Sequence, residues 1–521
     1  MIFRLIQISL LLIQVHLVLG QARDEADTVE TESPIIQPKR LEFEYDSDDK
    51  DYHVVTAEDQ GLLVVQETSK RGKEGFIYKL HFVDTTLTVI WEKEVIVKYG
   101  WTFLGYDYNK NGFHLLFSTE EYEKEELLVM KIGMQGEEIR TYEFNTVIPL
   151  DLTHFETVDK GMILGGESRG KPTIIFFDLE VKRPVVLPGI YNANSRIVAI
   201  EPNDRFNLFS VMVSEKTQTK DYSITIKVFS NKGDEIFSET LRTEQEKSLI
   251  DAVTTYFRNG TQYVSGTYAE RNTDKSAGFY ITKLQKGQQE FIKYYAYGDL
   301  YNFFSYMKDK REEKMKEKID RKKIRGKKVK LNYRLLVHEI IRRGEEFILI
   351  GEAYYPRYKN NDFYNNTIFY DPFTATTQNP NWEQNRLLGY QYTHAVVVGF
   401  NRDGEVLWDN SFEINDVLLP TLEENIQVNV EKDRIILLYA FENEIRSRVL
   451  RKDDDIEEKS TVEIELTYED DEVKSSSEEL EALKPWYASN FYAYGTHKVK
   501  NSGDKSVNNR RVFYINKITF K

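Results

Sequence analysis

Cysteine is absent from this 521-residue chain. Its absence excludes disulfides, thiolate metal sites, a cysteine nucleophile and a lipid-modified N-terminal cysteine. Proline is scarce, at 12 residues, within a globular composition of 40% hydrophobic and 13% aromatic residues. An excess of positive charge is also missing: 70 Lys and Arg face 85 Asp and Glu, a net charge of −15. A general nucleic-acid binder needs a basic face, so that class is excluded. The longest apolar run, Leu5–Leu19, is interrupted by Gln7, Gln14 and His16 and is short for a membrane span. Arg4 before it and Gly20 after it make residues 1–20 read as a signal peptide, with a mature chain expected from Gln21 and no transmembrane span after cleavage. A retained anchor is the rival reading. Export without disulfides points to a secreted, periplasmic or outer-envelope protein.

What the chain has in abundance is aromatic residues, 33 Tyr and 30 Phe, which suit pleated, half-buried surfaces. The organising stretch is His394–Glu413. There an apolar run meets Asn401-Arg-Asp-Gly404 and resumes through Val406, Leu407 and Trp408. Asp-Gly between two β-prone runs signals a hairpin, because glycine accepts the positive φ of a tight turn. A four-part unit of this kind recurs every 45–55 residues or so, near a propeller-blade period. Its second strands begin near Gly61, Gly112, Gly161, Phe206, Gly260, Phe347, Ile435 and Phe491. The expected fold is all-β: a β-propeller over residues 40–521 with about eight, alternatively seven, four-stranded blades.

The eighth unit is incomplete. Its third strand, starting at Val512, leaves no chain for a fourth, and the orphan strand Leu41–Tyr45 is placed there to close the ring. Residues 21–39 read as a disordered acidic lead-in. Three insertions are expected, at about 299–330, 354–393 and 453–484. The first is a small basic helix held out in solvent, the second is aromatic, and the third is acidic with a helix-start signal after Ser475.

The runs Gly389-Tyr-Gln-Tyr-Thr-His-Ala-Val-Val-Val-Gly-Phe400 and Leu407-Trp-Asp-Asn-Ser-Phe-Glu413 resemble a group of uncharacterised envelope proteins among the secreted bacterial β-propellers. The resemblance implies the fold and export. It brings no activity and no functional residues.

Motifs of catalysis and metal binding carry little. Gly166-Glu-Ser168-Arg-Gly170 matches a nucleophile elbow, but lies between two β runs rather than before a helix. Asp107-Tyr-Asn109-Lys-Asn111-Gly112 imitates a calcium loop, yet Ser118 stands where the closing Glu is needed. The eight histidines form no H-E-x-x-H, and His394 reads as a core or rim residue. No catalytic residue, metal or cofactor is assigned. Two surfaces remain. Tyr354, Tyr355, Tyr358, Tyr364, Tyr370, Trp382, Tyr390 and Tyr392 are the candidate ligand-binding side chains, since aromatic faces bind sugars or peptides at low conformational cost. Lys322, Lys323, Arg325, Lys327 and Lys328 are the candidate contacts for an anionic partner. Sequons at Asn259 and Asn365 matter only in a eukaryotic secretory route. The leading expectation is a non-enzymatic envelope or secreted propeller that binds a protein, glycan or anionic surface through face loops. The alternatives are a glycan-active hydrolase or lyase with its site in the central funnel, and a structural subunit of an envelope assembly.

Overall fold

The second strands read as unbroken apolar runs, and the packing explains why. In Leu62–Arg71, Leu62 and Val64 face one neighbouring sheet while Leu63 and Val65 face the other. Ile435 and Leu437 against Ile436 and Leu438 divide in the same way. A strand covered on both faces has no reason to alternate. Each of these side chains contributes about 1.5–3 kcal/mol by burial.

The computed structural model describes residues 33–44, 51–119, 126–192, 194–217, 221–244, 247–255, 257–270, 273, 275–358, 387–414, 417–451, 456–474, 479–503 and 509–521. Their strands form eight antiparallel sheets, each a blade with its strands in order from the channel outward. Blade 1 spans Tyr52–Lys98, blade 2 Trp101–Asn145, blade 3 Asp151–Val186 and blade 4 Ser195–Thr240. Blade 5 spans Lys247–Ala296, blade 6 Leu335–Leu419 and blade 7 Ile426–Glu463. Blade 8 begins at Asp471, and its two long strands are Asn490–Asn501 and Arg510–Phe520. Eight apolar clusters among the described residues fill the eight interfaces, including the one joining blade 8 to blade 1. The ring is closed, with eight blades rather than seven.

Closure uses the N-terminal strand, which pairs with Arg510–Phe520 as the outermost strand of blade 8 (Leu41 opposite Ile515, Glu44 opposite Val512). It runs Ile35–Glu44, beginning six residues before the sequence placed it. Residues 35–39, expected in the disordered lead-in, are therefore strand; Tyr45 lies outside the described residues. Ile35 is buried against blade 7, and the Gln37 amide donates to Glu463 O at 2.6 Å and accepts from Glu465 N. Pro38 and the acidic residues ahead of Ile35 hid this segment, since proline is confined to edge strands and argues against a strand in sequence.

The insertions are smaller than expected. In blade 6 the second and third strands extend to Glu346–Tyr358 and Leu387–Phe400, so both ends of the 354–393 stretch are sheet. The 453–484 stretch is largely blade: Ile456–Glu463 is the outer strand of blade 7, and Asp471–Val473 with Glu479–Pro485 is the inner strand of blade 8. No helix follows Ser475 among the described residues; the sheet's demand for an inner strand overrode the local helix-start signal.

Between blades 5 and 6 the connection forms the helix Asp309–Ile324. It is not held out in solvent. Ile319 is 3% exposed and joins Tyr297, Leu300, Phe303, Leu331 and Tyr333 at the blade 5–6 interface. Lys323 Nζ donates to Gly298 O at 2.7 Å. Ile319→Ala is expected to cost about 2–4 kcal/mol by cavity formation, read as earlier thermal unfolding and faster proteolysis of the helix. An unchanged melt would mean that the helix contributes nothing to the interface.

Candidate functional site

In each blade the turns joining first to second and third to fourth strands lie on one face, here called lower. The connections from second to third strands and between blades lie on the upper face. The first strands line the central channel. Those of blades 2, 3 and 4 carry bulges, between Phe103 and Gly105, Leu152 and His154, and Ile197 and Ala199. Bulges re-aim side chains and terminate regular pairing.

The carboxylates near the channel divide into two kinds. The first kind clasps the next blade. Asp107 Oδ2 accepts from the Thr157 amide at 2.7 Å and from its hydroxyl at 2.5 Å. Glu201 accepts from the Thr254 amide and hydroxyl. Glu352 Oε1 accepts from the Asn425 and Ile426 amides at 2.9 and 3.0 Å. These clasps join blade 2 to 3, blade 4 to 5 and blade 6 to 7. Burial pushes Asp107 up to about 6 and Glu201 up to about 8, with the threonine hydrogen bonds pulling the other way. Glu352 also accepts from His338 Nε2 at 2.7 Å.

The second kind is unengaged. Among the described residues neither Glu156 nor Glu339 makes a side-chain hydrogen bond. Burial, then the charges of Asp107 and Glu339, push Glu156 up to about 8. The first strand of blade 6 stops at Val337 and resumes at Ile341. His338 is buried in that break, while Glu339 stays exposed to the channel. Crowding by protein and the charge of Glu424 raise the Glu339 carboxyl, against the pull of His338. No group of three or more His, Asp or Glu among the described residues is spaced to hold a metal ion.

On the lower face, a cleft of about 850 Å³ runs between blades 4, 5 and 6 and reaches Glu201 and Glu339. Five cations line it: Arg205, Arg258, Lys283, Arg342 and Arg402. Arg205, Arg258 and Arg342 flank the turns from first to second strand in three successive blades. Arg402 sits on the turn between the third and fourth strands of blade 6. Tight geometry fixes these turns, with Asn207, Asn259 and Gly404 all at positive φ. Arg402 pairs with Glu345, and Lys283 with Glu290 at 2.7 Å. Arg205 and Arg258 have no carboxylate partner among the described residues. Thr254, Thr255, Tyr263 and Phe347 add hydroxyls and rings to the wall.

The residues singled out from sequence fall elsewhere. Tyr354 and Tyr392 are cross-strand partners in blade 6, and Tyr390 sits opposite Pro356. Tyr392 is buried, its hydroxyl donating to Glu423 O. Tyr354, Tyr355, Tyr358 and Tyr390 are half-buried on the same two strands. Tyr364, Tyr370 and Trp382 lie outside the described residues. Lys322 is half-buried, whereas Lys323, Arg325, Lys327 and Lys328 are exposed. Lys323 is pinned by Gly298 O and by Asp299 at 2.8 Å. Ser168 is buried at a hairpin whose turn is Arg169-Gly170, with no helix after it. In the calcium-like stretch, Asp107 clasps Thr157, and the Asn109 and Asn111 amides donate to Asp159 O. His394 is a core residue, stacked on Tyr306 at 3.7 Å, and burial pushes it down to about 3.

Sequence reasoning missed the arginine cleft. The available signal was Arg205, Arg258 and Arg342 recurring before the second strands of adjacent blades, where blades 1, 2, 3 and 7 carry Asp, Lys or Asn.

No known family description matches the chain, and no curated protein is similar to it in sequence. Among solved structures, the β-propeller domain of the Trilobed protease from Pyrococcus furiosus aligns at 9% identity and TM-score 0.35, over 81% of this chain and 96% of that one. A eukaryotic initiation factor aligns at 10% identity and TM-score 0.40, over 92% of each chain. The dihydro-heme d1 dehydrogenase NirN aligns at 11% identity and TM-score 0.39, over 93% of this chain and 78% of that one. These likenesses say nothing of activity. The fold assignment rests on the eight sheets and their pairing.

Proposed function

We propose that this propeller is a binding protein for an acidic glycan, held in the lower-face cleft. The observation that carries the reading is the pair Arg205 and Arg258, which line one cleft without a carboxylate partner among the described residues. Guanidinium groups recognise carboxylate or sulfate in a planar, bidentate way. Threonine hydroxyls and the rings of Tyr263 and Phe347 suit sugar hydroxyls and faces, and the volume suits a short oligosaccharide. Export belongs to the same proposal, on the strength of Arg4, Leu5–Leu19 and Gly20. No helix among the described residues is long and apolar enough to cross a membrane.

Calorimetric titration with a uronate oligosaccharide and a neutral one of equal length tests this reading. The acidic sugar is expected to bind at least about tenfold more tightly, and Arg205→Ala with Arg258→Ala to remove that preference at an unchanged melting temperature. A charge-assisted hydrogen bond contributes about 1.5–3 kcal/mol, which sets the scale. Equal binding of both sugars, or an unaffected double variant, would defeat the proposal. A second reading, cleavage of the bound glycan, draws on Glu339, which is unengaged, held above its ordinary range and present in the cleft. New reducing ends or unsaturated products, lost in Glu339→Gln, would replace binding with catalysis.

A further inference from the structure

A second cavity, of about 460 Å³, opens on the upper face beside the helix, between blades 5 and 6. Four lysines line it: Lys247, Lys275, Lys328 and Lys330, with Glu270 as the one acidic side chain among the described residues of its wall. Lys247 is pre-positioned, its Nζ 4.5 Å from the Tyr268 ring and 3.9 Å from the Tyr294 ring, and its pair with Glu244 is loose, at 3.7 Å. Lys328 Nζ stands 3.8 Å from Glu270, a loose pair that an incoming anion can replace. Lysine ammonium groups act on phosphate as mobile point charges, and among the described residues these four stand against two carboxylates, Glu244 and Glu270.

The surroundings extend the same chemistry. Residues 321–330 carry seven Lys and Arg and no acid, in a chain of net charge −15. Within that run Ile324 is 85% exposed, and Tyr301, ahead of the helix, is 79% exposed with Lys316 over its ring. Single exposed apolar side chains are ordinary on a protein surface, but one set beside a run of cations fits a lipid headgroup layer, where cations attract the phosphates and such a side chain enters the interface. The helix is otherwise polar on its free face and packs inward through Ile319, so contact would be peripheral.

We propose that this rim docks on an anionic phospholipid surface, one headgroup phosphate entering the cavity formed by Lys247, Lys275, Lys328 and Lys330. The lower-face glycan cleft plays no part in it, so either site can fail without the other. The test is co-sedimentation of the full chain with vesicles of phosphatidylcholine alone and vesicles that include phosphatidylserine or a phosphoinositide. Capture is expected only on the anionic vesicles, and raising the salt several-fold should release it. Lys247→Ala, Lys328→Ala and Lys330→Ala together are expected to weaken capture at least about tenfold. If that variant melts early, the exposed Lys328→Glu alone should still weaken it. Ile324→Asp is expected to weaken vesicle capture while leaving binding of a soluble inositol phosphate unchanged. Equal capture on neutral vesicles, or none on anionic ones, overturns the proposal. Binding of the soluble phosphate without vesicle capture overturns it too, making the cavity a site for a free phosphate ester. Equal binding to duplex DNA would reduce the rim to a general polyanion grip, and so overturn it as well.

Discussion

Deletion of residues 33–44 is expected to cost more than any single substitution in this protein, over about 5 kcal/mol. The strand does more than complete a sheet. Arg510 Nε donates to Glu42 at 3.0 Å, and its two terminal nitrogens donate to Asp471 at 3.0 and 2.5 Å. Arg40 reaches Glu42 at 2.7 Å and Asn516 at 2.9 Å, with its guanidinium 4.2 Å from the Tyr514 ring centroid. The Asn516 amide donates to Gln37 at 2.8 Å. Removing the strand takes Glu42 from Arg510, and Gln37 and Arg40 from Asn516, and breaking even one buried pair costs about 3–5 kcal/mol. It also bares the edge of Arg510–Phe520, an invitation to pair with another chain. The truncated protein should melt at much lower temperature and aggregate, and a synthetic 33–44 peptide should restore it by strand addition. A truncation that melts like the full chain would show that this closure carries no stability. Acid should act on the same network. Burial alone would raise Glu42 and Asp471, but hydrogen bonds from Arg510, and for Glu42 also Arg40, hold both below the ordinary carboxylate range. Their contribution is present above the unfolded carboxylate values and is lost as pH falls through the depressed folded ones.

Glu352→Leu is expected to be the most damaging single change, at about 3–5 kcal/mol. Glu352 is 0% exposed, and its Oε1 accepts from His338 Nε2 and from two backbone amides of blade 7. Leucine fills the space but leaves three donors unsatisfied in a dry interface. The substitution should also change the pH profile. Burial would lower His338, but Glu352 first, then Glu424 and Glu339, raise it above its ordinary value. A raised histidine stabilises the fold fully below its unfolded pKa of about 6.5, and that contribution is lost as pH rises through the folded value. The wild type should therefore lose stability over that interval. In the variant His338 has no buried anion to favour its charge, and the loss should vanish. Matching melting temperatures, or matching pH profiles, would show that the clasp between blades 6 and 7 is incidental.

The blade strands were legible because each second strand is a run of Leu, Ile, Val and Phe behind a turn residue. The closing strand was legible as an orphan at Leu41, although Ile35–Lys39 were lost behind Pro38 and an acidic neighbourhood. Blade 8's inner strand was illegible: Glu479–Pro485 has no apolar run, and its neighbours Phe491 and Tyr492 carry the burial. The cleft was illegible for another reason. Its arginines lie far apart in sequence, and only the angular arrangement of three consecutive blades brings them together. The same holds for Glu352 and Asn425, 73 positions apart, where nothing local marks a buried clasp.

The pairing of Glu42 with Arg510, 468 positions apart, has a consequence for how the molecule is made. Ribosomal synthesis runs from N- to C-terminus, so the strand Ile35–Glu44 is produced long before its sheet partner Arg510–Phe520. Blades 1 to 7 can form their own hairpins as they emerge, yet the strand Ile35–Glu44 must wait, unpaired, until blade 8 is made. Contacts between residues so far apart in sequence are expected to form late, since non-local strand pairing slows folding. During that wait the chain is an open arc with two unpaired edges, the form most exposed to mispairing with a neighbour.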